Sequence, residues 1–382
     1  MTLAKINITA FIFAFSLVAC KAGEELDSRT KSGPANNNAV PAPEDSDDNR
    51  GVTPLIDENG CDLSEWYSTD YRFRRPLAIS TPKGANLDLG YSFEITIDHQ
   101  EMVAAAKSKI DGSDIVIAYL DENCVIQSVP RVLHPDSTWN SRQTNLWFIS
   151  QAVTLADNLN TKYYLYYGNN NASLQVYRMN EVFVEFQDFS ALPDDESFVV
   201  MREGEGTTFA NGDAVISATP MDEMEQYTPY GIFRRGSTGR PLPSGTIVES
   251  SITMPIGGMS DWKATIGAPS MQLGLYQNRV QYYTPEAEGG FWTPVSEPLF
   301  NTESIDKTKF SMNVQPERLI LSMNDRIVGT RVLDTETFQP RFTATSNQLG
   351  APFEFRIHYY IARKAVQLDE QIVIKQGAEE SN

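Results

Sequence analysis

Apolar and polar side chains alternate with period two along much of this chain, which predicts half-buried strands rather than helices. Residues 91–98 read Tyr-Ser-Phe-Glu-Ile-Thr-Ile-Asp, and residues 246–254 alternate in the same way. Residues 115–120 and 163–167 are apolar or aromatic throughout and predict strands buried on both faces. Turn chemistry separates these runs. Asn211-Gly212 lies between residues 207–210 and 214–218, and Asn324-Asp325 lies between residues 318–322 and 326–332, so each predicts a hairpin. Asp111-Gly112 and Gly168-Asn169 mark further turns. Helical spacing is nearly absent, and residues 102–110 form the one short predicted helix. Many short strands punctuated by turns predict an all-β fold of two β-sandwich domains.

The first residues break this pattern. Lys5 supplies a positive charge, and residues 8–18 (ITAFIFAFSLV) form an apolar run too short to span a bilayer, which needs about 20 such residues. The run ends in Leu17-Val18-Ala19-Cys20, which resembles the bacterial lipobox. That resemblance implies that residues 1–19 are a lipoprotein signal peptide and that Cys20 is acylated and becomes the first mature residue. The alternative is a plain secretory signal with a chance cysteine. Two or more acyl chains anchor a protein stably, where one gives marginal binding. Lys21 stands where an aspartate would retain a lipoprotein in the inner membrane, so the expected place is the outer membrane, on its periplasmic face or at the cell surface. The rest of the segment 20–58 is rich in Glu, Asp, Asn, Ser and Pro and reads as a disordered acidic tether.

Composition narrows the partners. The 50 acidic residues outweigh 31 basic ones, a net charge of −19, which argues against nucleic acid. With Cys20 lipidated, Cys61 and Cys124 remain. In an oxidising compartment two leftover cysteines commonly pair, and closing that loop stabilises by roughly 4 kcal/mol in the chain-entropy model. Two separate buried thiols are the alternative. The folded body divides into a β-rich domain at 59–178, a second domain at 179–376 and a tail at 377–382.

Two resemblances attach to these domains. Residues 66–172 look like an uncharacterised bacterial and archaeal surface domain of unknown function that also occurs in proteins of the MotA/TolQ/ExbB type. The pattern is Tyr71-Arg72-Phe73-Arg74-Arg75-Pro76-Leu77, Gly112-Ser113-Asp114-Ile115, Trp147-Phe148-Ile149 and the closing Tyr163-Tyr164-Leu165-Tyr166-Tyr167-Gly168-Asn169. It implies an extracytoplasmic architecture and no assigned chemistry. The second domain resembles the concanavalin A-like lectin/glucanase jelly roll. Phe186-Gln187-Asp188-Phe189-Ser190, the hairpin at 319–329 and the strand at 355–364 are similar to its opening, recurrent and closing strands. This resemblance implies the fold, because such sandwiches host lectins, hydrolases and spacers alike.

A β-glucan hydrolase of this fold needs two carboxylates across the scissile bond. The nearest approach is Met221-Asp222-Glu223-Met224-Glu225-Gln226, whose spacing departs from the family's Glu-x-Asp-x-x-Glu and which Pro220 and Pro229 mark as a loop. His99, His134 and His358 form no metal-binding spacing and read as surface or packed imidazoles. Gly236-Ser237-Thr238-Gly239 is not a nucleophile elbow, and no Asp-rich loop matches a calcium motif, so no cofactor is expected. Tyr276, Tyr282, Tyr283, Phe291 and Trp292 cluster around the loop 285–290, beside Asn278, Glu286 and Glu288. They are candidate ligand-binding residues able to stack on sugar rings, or else aromatic core. The expectation is a non-enzymatic binding or adhesion protein held to the membrane by its N-terminal lipid, with a glycan as the leading ligand. An accessory component of an envelope assembly that recognises protein, and a glycoside hydrolase, are the alternatives.

Overall fold

In a computed structural model of the chain, the described residues are 56–57, 59–191, 198–201, 206–218, 230–234, 242–243, 245–255, 262–268, 271–276, 279–284, 291–294, 304–332, 337–338, 340–346, 353–366 and 372–382. Cys20 and the loop bearing Glu223 and Glu225 lie outside them. Among the described residues, no helix is long and apolar enough to cross a membrane.

The first sandwich uses β1 (Phe73–Ser80), β2 (Ser92–Ile97), the helix α1 (His99–Ala104), β3 (Val116–Leu120), β4 (Ile126–Val129), β5 (Arg131–Leu133), β6 (Thr144–Ile149) and β7 (Leu159–Tyr167). The second uses β8 (Glu185–Gln187), β9 (Phe198–Met201), β10 (Thr207–Ala210), β11 (Asp213–Ala218), β12 (Tyr230–Arg234), β13 (Leu242–Pro243), β14 (Thr246–Pro255), β15 (Trp262–Ala268) and β16 (Met271–Tyr276). It continues with β17 (Arg279–Thr284), β18 (Phe291–Pro294), β19 (Ser304–Gln315), β20 (Arg318–Met323), β21 (Arg326–Val332), β22 (Thr337–Phe338), β23 (Arg341–Ser346) and β24 (Phe353–Lys364). The chain then returns to the first sandwich as β25 (Val373–Gln376) and β26 (Glu380–Ser381), both antiparallel to β1. The fold is all-β, in two sandwiches.

Among the described residues four sheet layers result, beside a two-stranded pairing of β13 with β22. A sheet ordered β25-β1-β7-β3-β4 faces the three-stranded sheet β2-β6-β5. Between them lies a core of Phe93, Ile95, Leu146, Phe148, Tyr163, Leu165 and their neighbours. Next comes the sheet β10-β11-β24-β14-β19-β20-β21, which shares a second core with the sheet β18-β17-β16-β15-β23-β12-β9. The two middle sheets meet back to back. Val132 and Trp147 from one side pack with Tyr359 and Ile361 from the other, and Val182 and Phe183 of the connecting segment complete the cluster. We call this contact the seam.

Pattern explains the strands. In β7, Tyr163, Leu165 and Tyr167 enter the first core, while Tyr164 and Tyr166 fill a separate cluster on the other face with Tyr71 and Cys61. A strand buried on both faces needs such an unbroken apolar run. Cys61 and Cys124 are joined by a disulfide across that outer cluster, with Cα atoms 5.1 Å apart. Both hairpins turn through two residues of positive φ, Asn211-Gly212 (56° and 82°) and Asn324-Asp325 (47° and 63°), the backbone that type I′ turns require. The helix differs from expectation. It runs over His99–Ala104, three residues ahead of the predicted start, because Asp98 caps it by accepting a 2.8 Å bond from the Glu101 amide.

Residues 377–382, read from the sequence as a tail, are held by charge as well as by pairing. Glu380 meets the buried Arg74 at 2.5 Å, and Glu379 bonds Lys107 and the Tyr167 hydroxyl.

Candidate functional site

The seam gathers ionisable groups from strands distant in sequence. Along β2, Phe93 and Ile95 face the first core, so Glu94 faces the seam, where the sheet register places it opposite Trp147. Trp147 is in turn opposite Val132 of β5, and His134 follows directly after that strand. From the other sheet come Glu249 of β14, Lys309 of β19, and Tyr359 and Arg363 of β24.

His134 Nε2 lies 3.3 Å from Glu249 Oε1, and both side chains are buried. The Tyr359 hydroxyl is 3.4 Å from the same oxygen and 3.5 Å from His134 Nε2. The Asp136 amide donates to His134 Nδ1 at 3.1 Å, which directs the neutral ring's Nε2–H at Glu249. Trp147 stacks on the imidazole at 6.4 Å between centroids, and the Arg363 guanidinium lies 5.0 Å over the indole.

These neighbours split the carboxylates. Burial raises the pKa of Glu94, and the charge of Glu249 raises it further. Burial also pushes Glu249 upward, but the His134 hydrogen bond and the charges of Lys309 and Arg363 outweigh it, and its pKa falls below the ordinary value. Burial pulls His134 down, yet Glu249, Glu94 and Asp136 more than offset this, leaving its pKa above 6.5. Two carboxyl groups pushed apart in this way are suited to opposite roles, one as a proton donor and one as a fixed charge.

A cleft of about 310 Å³ opens beside this cluster, with Tyr91, Glu94, Trp147, Arg363, Ile374 and Gln376 among its lining residues. The Trp147 indole Nε1 is buried without a hydrogen-bonding partner in the protein. A buried donor left unpaired costs about 1–3 kcal/mol.

The residues singled out from sequence fall elsewhere. Tyr276 ends β16, Tyr282 and Tyr283 lie in β17, and Phe291 and Trp292 begin β18, with Tyr283 paired to Trp292 in the register. The backbone therefore brings all five onto three neighbouring strands, and the loop 285–290 lies outside the described residues. His99 is packed in the first sandwich, its Nδ1 accepting from the Asn140 amide at 2.8 Å, and burial lowers its pKa. Among the described residues no group of three or more His, Cys, Asp or Glu is placed to hold a metal. Sequence reasoning missed the seam cluster because Glu94, His134 and Glu249 are separated by some forty to over a hundred positions. The alternation in β2 is the one local signal, since it sets Glu94 opposite the core.

The architecture at hand is two sandwiches, each of antiparallel sheets around one core. Solved structures similar to this chain include an endo-acting O-glycanase of the human gut microbiota, with 12% identity over 48% of this chain and 99% of the other at a TM-score of 0.38. The catalytic domain of an endo-1,3-β-glucanase (laminarinase) from Thermotoga petrophila RKU-1 aligns at 14% identity over 48% and 97%, TM-score 0.37. The laminarinase catalytic domain from Thermotoga maritima MSB8 aligns at 14% over 48% and 98%, TM-score 0.36. No family model and no curated protein matches the chain. The expectation of a non-enzymatic protein is corrected by this finding: the similar structures are named for glycan-cutting enzymes, and this fold gives no ground for setting catalysis aside.

The shifts fix a pH dependence. A raised His134 contributes stability that is fully present below its ordinary 6.5 and is lost as pH rises through its higher folded value. Glu94, also raised, opposes folding further as it ionises above the ordinary 4.5. Glu249, lowered, contributes stability above 4.5 that is lost as pH falls through its folded value. Unfolding free energy measured by denaturant from pH 5 to 9 is therefore expected to decline on the alkaline side. His134→Gln should cost about 3 kcal/mol or more at pH 6, since it breaks the buried contact that Glu249 makes with His134. The same variant should flatten the alkaline decline.

Proposed function

We propose that this protein is a lipid-anchored, glycan-cleaving protein of the cell envelope, with Glu94 as the proton donor at the seam cleft. The observation that carries the reading is a half-buried carboxyl group, raised by burial and by the charge of Glu249, on the wall of one cleft. A protonated Glu94 can give its hydrogen to a glycosidic oxygen as the bond breaks, the role a raised carboxyl serves in glycoside hydrolysis. The cleft volume suits a sugar unit at the lower end of ligand pockets. Hydrolysis needs a second carboxylate. Glu249 is held ionised nearby but is not among the residues lining the cleft, and Glu223 and Glu225 of the sequence-predicted loop are the other candidates. Attachment to the outer membrane rests on the lipobox-like residues ending in Cys20.

Reducing-end release from a panel of β-glucans and mucin-type O-glycans tests the chemistry. Glu94→Gln is expected to lose about 100-fold or more of the wild-type rate with unchanged circular dichroism. Loss in Glu223→Gln with Glu94→Gln fully active would move the reaction to the loop, and no release by folded wild type would refute hydrolysis. For the anchor, radiolabelled palmitate should enter the wild-type protein and not Cys20→Ser; equal labelling of both would refute it.

A further inference from the structure

Away from the seam, three side chains stand in an unbroken line on the sheet that carries β24. Asp213 Oδ1 is 2.7 Å from His358 Nδ1, and His358 Nε2 is 2.7 Å from Thr253 Oγ1. Two irregularities aim them. The pairing of β14 with β24 steps from Ser251–Tyr359 to Ile252–Ile357, so His358 is the extra residue of a β-bulge. The pairing of β14 with β19 slips between Ile252 and Met254, opposite the segment holding Asp306 and Lys307, and Lys307 has a φ of 43°. Thr253 therefore sits between two bulged neighbours. Bulges are enriched beside active sites because they redirect single side chains, and a non-glycine residue at positive φ is strain that the surroundings must hold in place.

The hydrogen bonding is directional. With Asp213 accepting from Nδ1–H, the neutral imidazole keeps the Nε2 lone pair toward Thr253, so the hydroxyl can donate to it. Asp306 Oδ1, at 3.0 Å, is a second and longer acceptor for that proton, and the Lys307 amide donates to Oγ1 at 3.0 Å. His358 and Asp213 are each about one-sixth exposed. The set is thus reachable from solvent, unlike His134 in the seam.

We infer that Thr253, His358 and Asp213 form a nucleophile, base and positioning carboxylate that cleave carboxylic esters, a second activity independent of the seam cleft. Thr253 Oγ1 bonds to the ester carbonyl carbon while its proton passes to His358 Nε2. The C–O bond to the alcohol breaks as Nε2 returns that proton to the leaving oxygen. Water then attacks the threonyl ester with His358 again taking and returning a proton, which frees the acid and restores the hydroxyl. Asp213 holds the ring's tautomer and orientation and touches no reacting atom.

The test is hydrolysis of 4-nitrophenyl acetate by the full mature chain, together with labelling by a fluorophosphonate probe and peptide mass spectrometry. Turnover above buffer and a label on Thr253 are expected. Thr253→Val and His358→Gln should lose about 100-fold or more. Asp213→Asn keeps the shape but offers the wrong tautomer and should lose as much, while Thr253→Ser should retain activity and Glu94→Gln should leave it unchanged. Absence of turnover and label in folded wild type, or wild-type rates in Thr253→Val or Asp213→Asn, would overturn the assignment. Either result leaves the glycan reading to its own test of sugar release.

Discussion

Everything described here depends on burying the outward faces of two sheets against each other. Each middle sheet already has one face committed to a core, so its second face would ordinarily be solvated and polar. Here that face carries Trp147, Val132, Tyr359 and Ile361, whose burial with Val182 and Phe183 is worth on the order of 10 kcal/mol before ordering costs. The same contact takes Glu94, His134 and Glu249 out of bulk water. Charges so placed are tolerable only when paired, and the His134–Glu249 contact, backed by Lys309 and Arg363, meets that condition. Packing and chemistry in the seam therefore arise from one event.

A single bulge decides which side chains reach that seam. Below His358, the odd-numbered Phe355 and Ile357 enter the second core; beyond it the even-numbered Tyr360 and Ala362 do so. Tyr359 and Ile361 are thereby released to the seam. Without the extra residue the parity of β24 would not change, and Tyr359 would point into the second core away from Glu249. The bulge thus links the seam to the Asp213–His358–Thr253 line, since the residue that flips the strand is also the imidazole of that line.

Much of the fold was legible in the sequence, for local reasons. Asn211-Gly212 and Asn324-Asp325 name their own turns, and the alternation at 91–98 and the aromatic run at 163–167 correspond to a one-faced and a two-faced strand. The site was less legible. The aromatics at 276–292 drew notice because they are close in sequence, whereas His134, Glu249 and Tyr359 become neighbours only through register and layer stacking. Residues 355–364 read as one uninterrupted strand, and no residue type announces that position 358 is the bulge. The return of β25 and β26 to β1 was hidden for a similar reason, because their partner lies some three hundred residues earlier.

The central claim is that the seam makes the two sandwiches one cooperative body. Differential scanning calorimetry of the mature, lipid-free protein tests it directly. A single transition with equal calorimetric and van't Hoff enthalpies is predicted, lowered as a whole by Trp147→Ala. Two resolved transitions in the wild-type protein, with only one of them moved by that substitution, would contradict it.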